Sequence, residues 1–314
     1  MISALIPVYR GERTIEDLVH RLSQALQATG DHWEILLIND ASPDNSWAKI
    51  EELARHLPQV RGLDLMRNYG QHNALLCGLR AARGDIVVTL DDDLQHAPEE
   101  IPALLARLAE GFDVVYGAPR RTRQAPWRRA GSWLTRRILS HAMGVEAASN
   151  VSAFRVFRTR VRDAFAAFDG PNVNLDVLLT WGASRFAVVR VEHHAREGSE
   201  STYTVRKLIR HASNMITGFT VLPLQFASVL GFILTAVGAL LLVYIILVYL
   251  VSGRQVPGFY FLASVIVLFG GAQLFALGII GEYLARIHSH AMRRNTYSIR
   301  RETGEAKSAG ANLA

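Results

Sequence analysis

Two long uncharged stretches near the end of the chain constrain its fold more than any other feature. No Asp, Glu, Lys or Arg occurs within residues 212–253 or within residues 255–281. A membrane-spanning helix needs about 20 consecutive, mostly apolar residues, and both Val229–Val251 and 259–281 are long enough. We therefore predict a two-helix transmembrane hairpin over residues 224–285, because two adjacent uncharged spans are rare in the cores of soluble domains.

Basic residues flank the uncharged stretches unequally. Only Arg254 lies in the loop that joins them. Cytoplasmic ends of membrane helices carry an excess of Lys and Arg, so both termini are predicted to face the cytoplasm. Residues 286–314 are predicted to form a cytoplasmic basic tail, disordered after Arg301. The basic residues before the hairpin are Arg206, Lys207 and Arg210, and those after it include Arg286, Arg293, Arg294, Arg300 and Arg301.

The segment just before the hairpin has the pattern of an amphipathic helix. Over residues 203–223 apolar side chains recur at helical spacing, with basic residues mainly between them. Such helices lie along membrane surfaces, and the neighbouring hairpin favours that placement over a helix packed on the preceding domain. The apolar positions are Val205, Leu208, Ile209, Ala212, Met215, Ile216 and Phe219.

The first 202 residues alternate between strand and helix patterns. Short apolar runs such as SALIPV, WEILLIND and DIVVTL alternate with helical repeats such as TIEDLVHRLSQALQATG and QHNALLCGLRAARG. This rhythm predicts an α/β domain over residues 1–202, a mostly parallel sheet with helices on both faces. Ligands of such sheets bind beyond the carboxyl ends of the strands.

Polar side chains collect at three of the predicted strand ends. Three acidic residues in a row follow the strand in VTLDDDLQH, and Pro7, Tyr9 and Asp40 lie at other strand ends. No G-x-G-x-x-G or Walker-type loop is present, so a nucleotide diphosphate would need another means of neutralisation. Asp91 and Asp93 share a face if strand geometry persists, and Mg²⁺ or Mn²⁺ prefers such oxygen ligands. An acidic turn that caps the next helix is the alternative.

The chain is basic, with a formal net charge of +6, which suits an anionic partner. The segment PRRTRQAPWRRAGSWLTRRILSH is rich in arginine, and no acidic residue occurs between Asp113 and Glu146. We interpret it as a clamp for phosphate groups and lipid headgroups, with a solvated basic helix face as the alternative. Nucleic acid is not expected as a partner, since the membrane already supplies anionic groups. The single cysteine, Cys77, excludes an intramolecular disulfide.

Five ordered motifs resemble those of family 2 glycosyltransferases of the GT-A fold. They are IPVYRGERTI, LLINDASPDNS, RNYGQHNALLCGL, GDIVVTLDDDLQHAPEEIP and REGSESTYTVRKL. The similarity is closest to the polyprenyl-phosphate sugar transferases, a branch that includes dolichyl-phosphate mannose synthases and undecaprenyl-phosphate 4-deoxy-4-formamido-L-arabinose transferases. It covers the chain from about Ser3 to Arg301, both uncharged spans included. Arg10, Gly11 and Asn39 depart from the residues that relatives often carry.

The resemblance implies a nucleotide site at the strand ends. Pro7 and Tyr9 would line the base, and Asp40 would contact the base or the ribose. Asp91 would lie near both the nucleotide and the sugar.

The resemblance also implies a divalent cation, Mg²⁺ or Mn²⁺, in the acidic cluster. Asp93 would bind the metal, and Gln95 would help to hold the diphosphate and the metal site. Asp92 occupies the variable middle position, and we interpret it as a supporting or solvent-exposed residue.

Basic residues elsewhere would hold phosphate groups. The resemblance assigns Arg120 and Arg129 to the arginine-rich segment, with Arg128 as the alternative to Arg129. Arg155 would lie near the acceptor site, and Arg196 would lie in a loop that closes over the donor diphosphate. The other residues assigned to that loop are Ser199, Ser201 and Tyr203.

The implied activity is a membrane-bound, inverting transfer of a sugar from a nucleotide sugar, with a UDP-sugar favoured, to undecaprenyl phosphate. The product would be a lipid-linked sugar for cell-envelope glycans or lipid A modification. The implied location is a bacterial inner membrane, with a multi-pass chain and the catalytic domain and both termini in the cytoplasm. Small residues in FGGAQLFALG make a homo-oligomer plausible.

Two other functions stay open from the sequence. A processive polysaccharide synthase can share this fold, although the chain has QAPWRR where those enzymes carry a Gln-x-x-Arg-Trp motif. A non-catalytic membrane scaffold is the second, and the presence of Asp91, Asp93 and Gln95 disfavours it.

Overall fold

A computed structural model describes residues 1–120, 151–170, 173–192, 222–252, 258–292 and 295–303. The chain divides into two compact units. The first comprises Met1–Thr202 and Arg294–Ala314, and the second comprises Tyr203–Arg293.

The first unit is an α/β domain, as the alternating pattern predicts. Its strands are β1 Ile2–Val8, β2 Trp33–Asn39, β3 Val60–Leu65, β4 Ile86–Thr89, β5 Val114–Pro119, β6 Arg155–Arg158, β7 Phe186–Val191 and β8 Ile299–Thr303. Its α-helices are α1 Ile15–Gln27, α2 Ser46–His56, α3 Gln71–Ala81, α4 Ile101–Ala109 and α5 Leu175–Gly182. Short 3-10 helices cover Pro98–Glu100 and Thr159–Phe165.

The eight strands form one mostly parallel sheet in the order β7-β5-β6-β4-β1-β2-β3-β8. β6 runs antiparallel to both of its neighbours, and β8 runs antiparallel to β3. The strands β4, β1 and β2 lie side by side and parallel near the middle of the sheet. Their carboxyl ends therefore meet at one edge, where the polar residues of the sequence motifs lie.

Side chains of the central strands alternate between two apolar layers. In β1, Ile6 packs in the layer that contains Leu18 of α1 and Leu104 of α4, whereas Leu5 packs in the layer that contains Leu75 of α3. Successive residues of a strand point to opposite faces, so a strand covered on both faces is apolar throughout. The central strands are therefore packed on both faces, and this packing positions their ends.

The last strand, β8, corrects one expectation from the sequence. Residues 299–303 lie within the predicted basic tail, but they add an antiparallel edge strand to β3. The segment IRRET has no apolar alternation, and four of its five residues are exposed. The pairing depends instead on charged partners in β3, which local patterns in the segment do not reveal.

The second unit contains two long helices. α6 spans Leu222–Ser252 with 31 residues, and α7 spans Phe259–Ala291 with 33 residues. They pack closely at Gly238, where an added Cβ would lie 3.0 Å from the Phe269 ring. Within the described ranges, no helix has the combined length and apolar character that crossing a membrane requires. The transmembrane hairpin therefore stays a prediction, and the amphipathic segment 203–223 lies almost wholly outside the described residues.

Candidate active site

Strained backbone marks the edge of the sheet where β1, β2 and β4 end. Among the described residues, three non-glycine residues have positive φ: Arg10 at 62°, Ala41 at 50° and Leu94 at 58°. Each follows one of these three neighbouring strands. Left-handed conformations cost free energy in residues other than glycine, and they cluster at functional sites. The edge of the sheet predicted to bind ligand is thus also the strained one.

An open cavity of about 110 Å³ lies at this edge. It brings together four of the residues implied to bind the nucleotide, since Pro7, Tyr9, Asp40 and Asp91 all line it. Its other lining residues are Val8, Gln71 and Asp92. Pockets that enclose a whole drug-sized ligand have volumes of about 300 Å³ or more. This cavity is smaller and therefore accommodates only part of a nucleotide sugar.

Asp40 organises the loop that leads into α3. The carboxylate is only 3% exposed, and its two oxygens accept hydrogen bonds from the backbone N–H groups of Tyr69 (2.7 Å) and Gly70 (2.8 Å). Burial raises the pKa of Asp40, and these two hydrogen bonds partly offset that rise. Gly70 has φ +90°, which only glycine adopts easily, so the loop can turn onto the carboxylate. Asp40 therefore fixes the start of α3, where Gln71 follows.

Gln71 links α3 to the acidic cluster. Its amide Nε2 donates a hydrogen bond to Oδ1 of Asp91. Gln71 was not among the site residues expected from the sequence, although it lies in the quoted RNYGQH motif. The sequence pattern could have indicated Gln71, because it is a polar residue that directly follows Gly70 and begins the helix after β3.

Asp92 has a more specific role than its expected place as a supporting or exposed residue. Its Oδ2 accepts a hydrogen bond of 3.0 Å from the backbone N–H of Tyr9. A Cβ at Gly11 would lie 2.7 Å from the same oxygen. The middle carboxylate thus joins the end of β4 to the loop after β1, and Gly11 leaves the space that this contact needs.

Asp91 and Asp93 lie in a turn beyond the end of β4. The strand ends at Thr89, opposite the first residue of β6, so β6 offers no partner beyond it, although β1 continues to Val8. The backbone then turns, with Leu94 in the left-handed region. The backbone N–H of Gln95 donates 3.2 Å to Oδ1 of Asp93 and closes this turn. The condition for placing Asp91 and Asp93 on one face, that strand geometry persists, is therefore not met, and all members of the turn are partly exposed.

The two described arginines of the predicted site differ in their surroundings. Arg120 follows β5, and its side chain is 60% exposed, 3.8 Å from Glu100 and 3.9 Å from Glu192. Its Nε also donates a hydrogen bond of 3.3 Å to the Arg190 carbonyl. Exposed contacts of this kind contribute little stability, so Arg120 can turn toward a ligand. Arg155 is only 1% exposed and forms an ion pair with Asp176 inside the domain.

A buried polar cluster surrounds Arg155. Its Nε donates 3.0 Å to Oγ1 of Thr89, the last residue of β4, and Thr89 donates 2.6 Å to the carbonyl of Ala153. The Tyr116 hydroxyl donates 3.1 Å to Asp176. Burial acts to lower the pKa of Arg155, but the charge and hydrogen bond of Asp176, together with the electrostatic effects of Tyr116 and Asp91, outweigh it, and the pKa is raised. Burial, together with the charge of Asp176, also raises the pKa of Tyr116 well above its ordinary value. Arg155 and Tyr116 therefore both stay protonated, as their hydrogen bonds require.

Several predicted site residues lie outside the described ranges. They are Arg129, with its alternative Arg128, and the loop residues Arg196, Ser199, Ser201 and Tyr203. Among the residues that the structure does describe, no group of three or more His, Cys, Asp or Glu side chains is arranged to hold a metal ion.

Comparisons with known proteins identify the family of the chain. Residues 3–166 match the sequence model of Glycosyl transferase family 2, and this match includes β1 to β6 and the acidic turn. The chain belongs to glycosyl transferase family 2. It is thus an enzyme, a glycosyltransferase.

Family 2 relatives match the chain over nearly its whole length. A protein of Proteus mirabilis (strain HI4320), named undecaprenyl-phosphate 4-deoxy-4-formamido-L-arabinose transferase, is 35% identical over 98% of this chain and 95% of its own length. A protein of the same name from Shewanella sediminis (strain HAW-EB3) is 37% identical over 95% of this chain and 91% of its own.

A solved structure of another glycosyltransferase shares the fold of the first unit. Glucosyl-3-phosphoglycerate synthase from Mycobacterium tuberculosis, solved in complex with Mn²⁺ and uridine-diphosphate-glucose, superposes with a TM-score of 0.50 and 20% identity. The match covers 69% of this chain and 77% of that one. It shows that the sheet and its helices form the GT-A-like fold.

Proposed function

We propose that this glycosyltransferase moves a sugar from a UDP-sugar to undecaprenyl phosphate at a membrane surface. The observation that carries the proposal is the cavity at the ends of β1, β2 and β4, where Pro7, Tyr9, Asp40 and Asp91 converge. The names of the two full-length relatives support the acceptor and the class of reaction. The product would be a lipid-linked sugar for cell-envelope glycans or lipid A modification.

The cavity suits the nucleoside end of the donor. Tyr9 is 45% exposed beside the apolar ring of Pro7, so a base can stack against these two side chains. Asp40 lies deeper, with both oxygens fixed by backbone N–H groups, and can accept one further hydrogen bond from a base or ribose. The donor would then extend toward Asp91 and the acidic turn.

The acidic turn suits a divalent cation bound together with the donor. Asp91 and Asp93 are partly exposed carboxylates two residues apart, and hard cations prefer such oxygen ligands. Mg²⁺ and Mn²⁺ commonly take their remaining ligands from substrate phosphates and water. When bound, the cation would neutralise charge on the diphosphate as it leaves. We propose that Asp93 binds it and that Gln95, whose backbone N–H fixes Asp93, supports the diphosphate.

The acceptor phosphate needs little activation by the protein. A phosphate monoester is already ionised at neutral pH, so its oxygen can attack the anomeric carbon without a strong general base. A single direct displacement inverts that carbon. Arg120 is exposed beyond the end of β5 and can hold an incoming phosphate, and we assign the same role to Arg129 and Arg196.

The proposed acceptor and the second unit support a membrane setting. Undecaprenyl phosphate is a lipid, so a chain held at the membrane meets it with a smaller entropic cost. Large apolar side chains on α6 and α7 are exposed, for example Phe232 at 76% and Leu274 at 71%. Exposed apolar surface of this kind is typical of lipid contact. We propose a multi-pass protein of a bacterial inner membrane, with its catalytic domain in the cytoplasm.

A reconstituted transfer assay tests the proposal. The full chain in detergent is given a short-chain undecaprenyl phosphate analogue, Mg²⁺ or Mn²⁺, and a panel of UDP-sugars with GDP-mannose, and glycolipid is detected by mass spectrometry. We expect one sugar per lipid from a UDP-linked donor, and a loss of about 10²-fold or more in Asp93→Asn. Asp31→Asn, which changes an exposed carboxylate in the loop before β2, is the matched control and should keep full activity.

Other outcomes would point elsewhere. Lipids that carry many sugars would favour a processive synthase. Product from GDP-mannose alone would overturn the UDP assignment, and equal activity in Asp93→Asn and the wild type would overturn the metal assignment. If the protein makes no product and binds neither nucleotide nor metal, both the donor assignment and the cation assignment would be overturned.

A further inference from the structure

A row of polar contacts crosses the sheet from its edge to the candidate donor site. Arg301 of β8 lies opposite Asp64 of β3, Asp64 lies opposite Asn39 of β2, and Asn39 lies opposite Val8 of β1. Asn39 directly precedes Asp40, the buried carboxylate of the site. The row thus reaches the cavity, since Val8 lines it and Asn39 adjoins Asp40.

Asp64 is a buried charge that the C-terminal strand satisfies. It is 1% exposed, and its Oδ2 accepts hydrogen bonds from Arg301 Nε (3.2 Å) and Nη2 (3.0 Å). Arg300 approaches the same oxygen at 3.8 Å. A buried carboxylate without a cationic partner is strongly destabilising, so the protein depends on the return of the chain after α7.

The charge on Asp64 determines which way the Asn39 amide faces. Asn39 is 2% exposed, and its Nδ2 donates 2.8 Å to Oδ1 of Asp64. Because a carboxylate can only accept, the amide nitrogen must face Asp64 and the amide oxygen must face away. That oxygen accepts a hydrogen bond of 3.3 Å from the backbone N–H of Ser42. Rotation of the amide would break both contacts.

Ser42 connects Asn39 to the loop after β1. Its hydroxyl accepts a hydrogen bond of 2.7 Å from the backbone N–H of Arg10, which has the left-handed φ of 62°. Arg10 directly follows Tyr9, whose ring lines the cavity. A strained residue keeps its conformation only where surrounding contacts stabilise it. The hydrogen bond from Arg10 to Ser42 is one of these contacts.

We propose that β8 is a positioning element of the donor site and that Arg301, acting through Asp64, Asn39 and Ser42, holds the loop that presents Tyr9. Arg301 does not touch the donor. Its part in donor binding rests on the proposed function, but its part in ordering the loop does not. The C-terminal segment is therefore a component of the active domain, and the row joins residues 237 positions apart in the chain.

Hydrogen exchange and nucleotide binding, measured on the full chain, test the two parts separately. The variants are Arg301→Ala, Arg301→Lys and the control Arg185→Ala, an exposed arginine beside Asp113 at the opposite edge of the sheet. We expect Arg301→Ala to speed amide exchange in peptides that contain Arg10 and Ser42 by about fivefold or more, with Arg301→Lys closer to the wild type. Arg185→Ala should leave those peptides unchanged.

The same proteins are titrated with UDP, and the KM values for the UDP-sugar and for the lipid phosphate are measured. We expect UDP binding about fivefold weaker or more in Arg301→Ala, and a raised donor KM with an unchanged acceptor KM. Unchanged exchange at Arg10 and Ser42 would overturn the positioning role, as would donor and acceptor KM values that rise together. Faster exchange in a protein whose wild type binds no UDP would uphold the ordering of the loop and overturn the proposed donor instead.

Discussion

Replacing Arg155 by methionine should destabilise the first unit severely, because it leaves a buried charge without its partner. Asp176 is only 6% exposed and would keep the Tyr116 hydroxyl but lose the guanidinium. Removing one partner of a buried ion pair costs about 3–5 kcal/mol. In a domain of this size that loss lowers the midpoint of thermal unfolding by about 6–20 °C.

A second substitution, at Asp176, separates the loss of stability caused by the uncompensated charge from the loss caused by altered packing. In Arg155→Met/Asp176→Asn the uncompensated charge is gone, and the Asn oxygen still accepts from Tyr116. We expect a remaining loss of about 1–3 kcal/mol, from the amide N–H groups left without an acceptor. Thermal unfolding of the purified full chain, followed by tryptophan fluorescence, measures both variants. A single variant within about 1 kcal/mol of the wild type, or a double variant as unstable as the single, would refute the reasoning.

Turnover of the double variant then decides the role of Arg155. If Arg155 acts only by balancing the buried charge of Asp176, restored stability should bring back a large part of the activity. If Arg155 instead contacts the acceptor, as the family resemblance implies, the double variant should be stable and inactive. The burial of Arg155 favours the first result, since a side chain that is 1% exposed has little surface for a ligand.

Three further predictions address other contacts. Burial raises the pKa of Cys77 to about 12, so the thiol stays protonated at pH 8.5. Iodoacetamide should therefore label Cys77 only after unfolding, which intact-mass measurement will show. Stoichiometric labelling of the native protein would contradict this. Gly62→Ala puts a Cβ against the Ile50 side chain of α2 and 2.6 Å from the Thr303 methyl group, and the crowding should cost about 1–3 kcal/mol in thermal unfolding; an unchanged unfolding midpoint would contradict the close packing of these side chains around β3. Gly11→Ala should push Asp92 off the backbone and raise the donor KM by about threefold to tenfold, while an unchanged donor KM would show that this contact is dispensable.

The sequence by itself determined the alternation of strands and helices in the first unit and the edge at which a ligand site forms. Both follow from local patterns: apolar runs define strands buried on both faces, and the carboxyl ends of parallel strands meet at one edge. Pro7, Tyr9, Asp40 and Asp91 were therefore expected together, and the cavity brings them together.

Only the tertiary structure decided how particular polar side chains are used. Asp92 accepts from a residue 83 positions away, and Arg301 pairs with Asp64 across 237 positions. No local pattern encodes such contacts, because they depend on which strands become neighbours and on the register between them. The same holds for Arg155. Its motif suggested a functional arginine, but its place beside β4 encloses it, and burial then demands an acid as its partner.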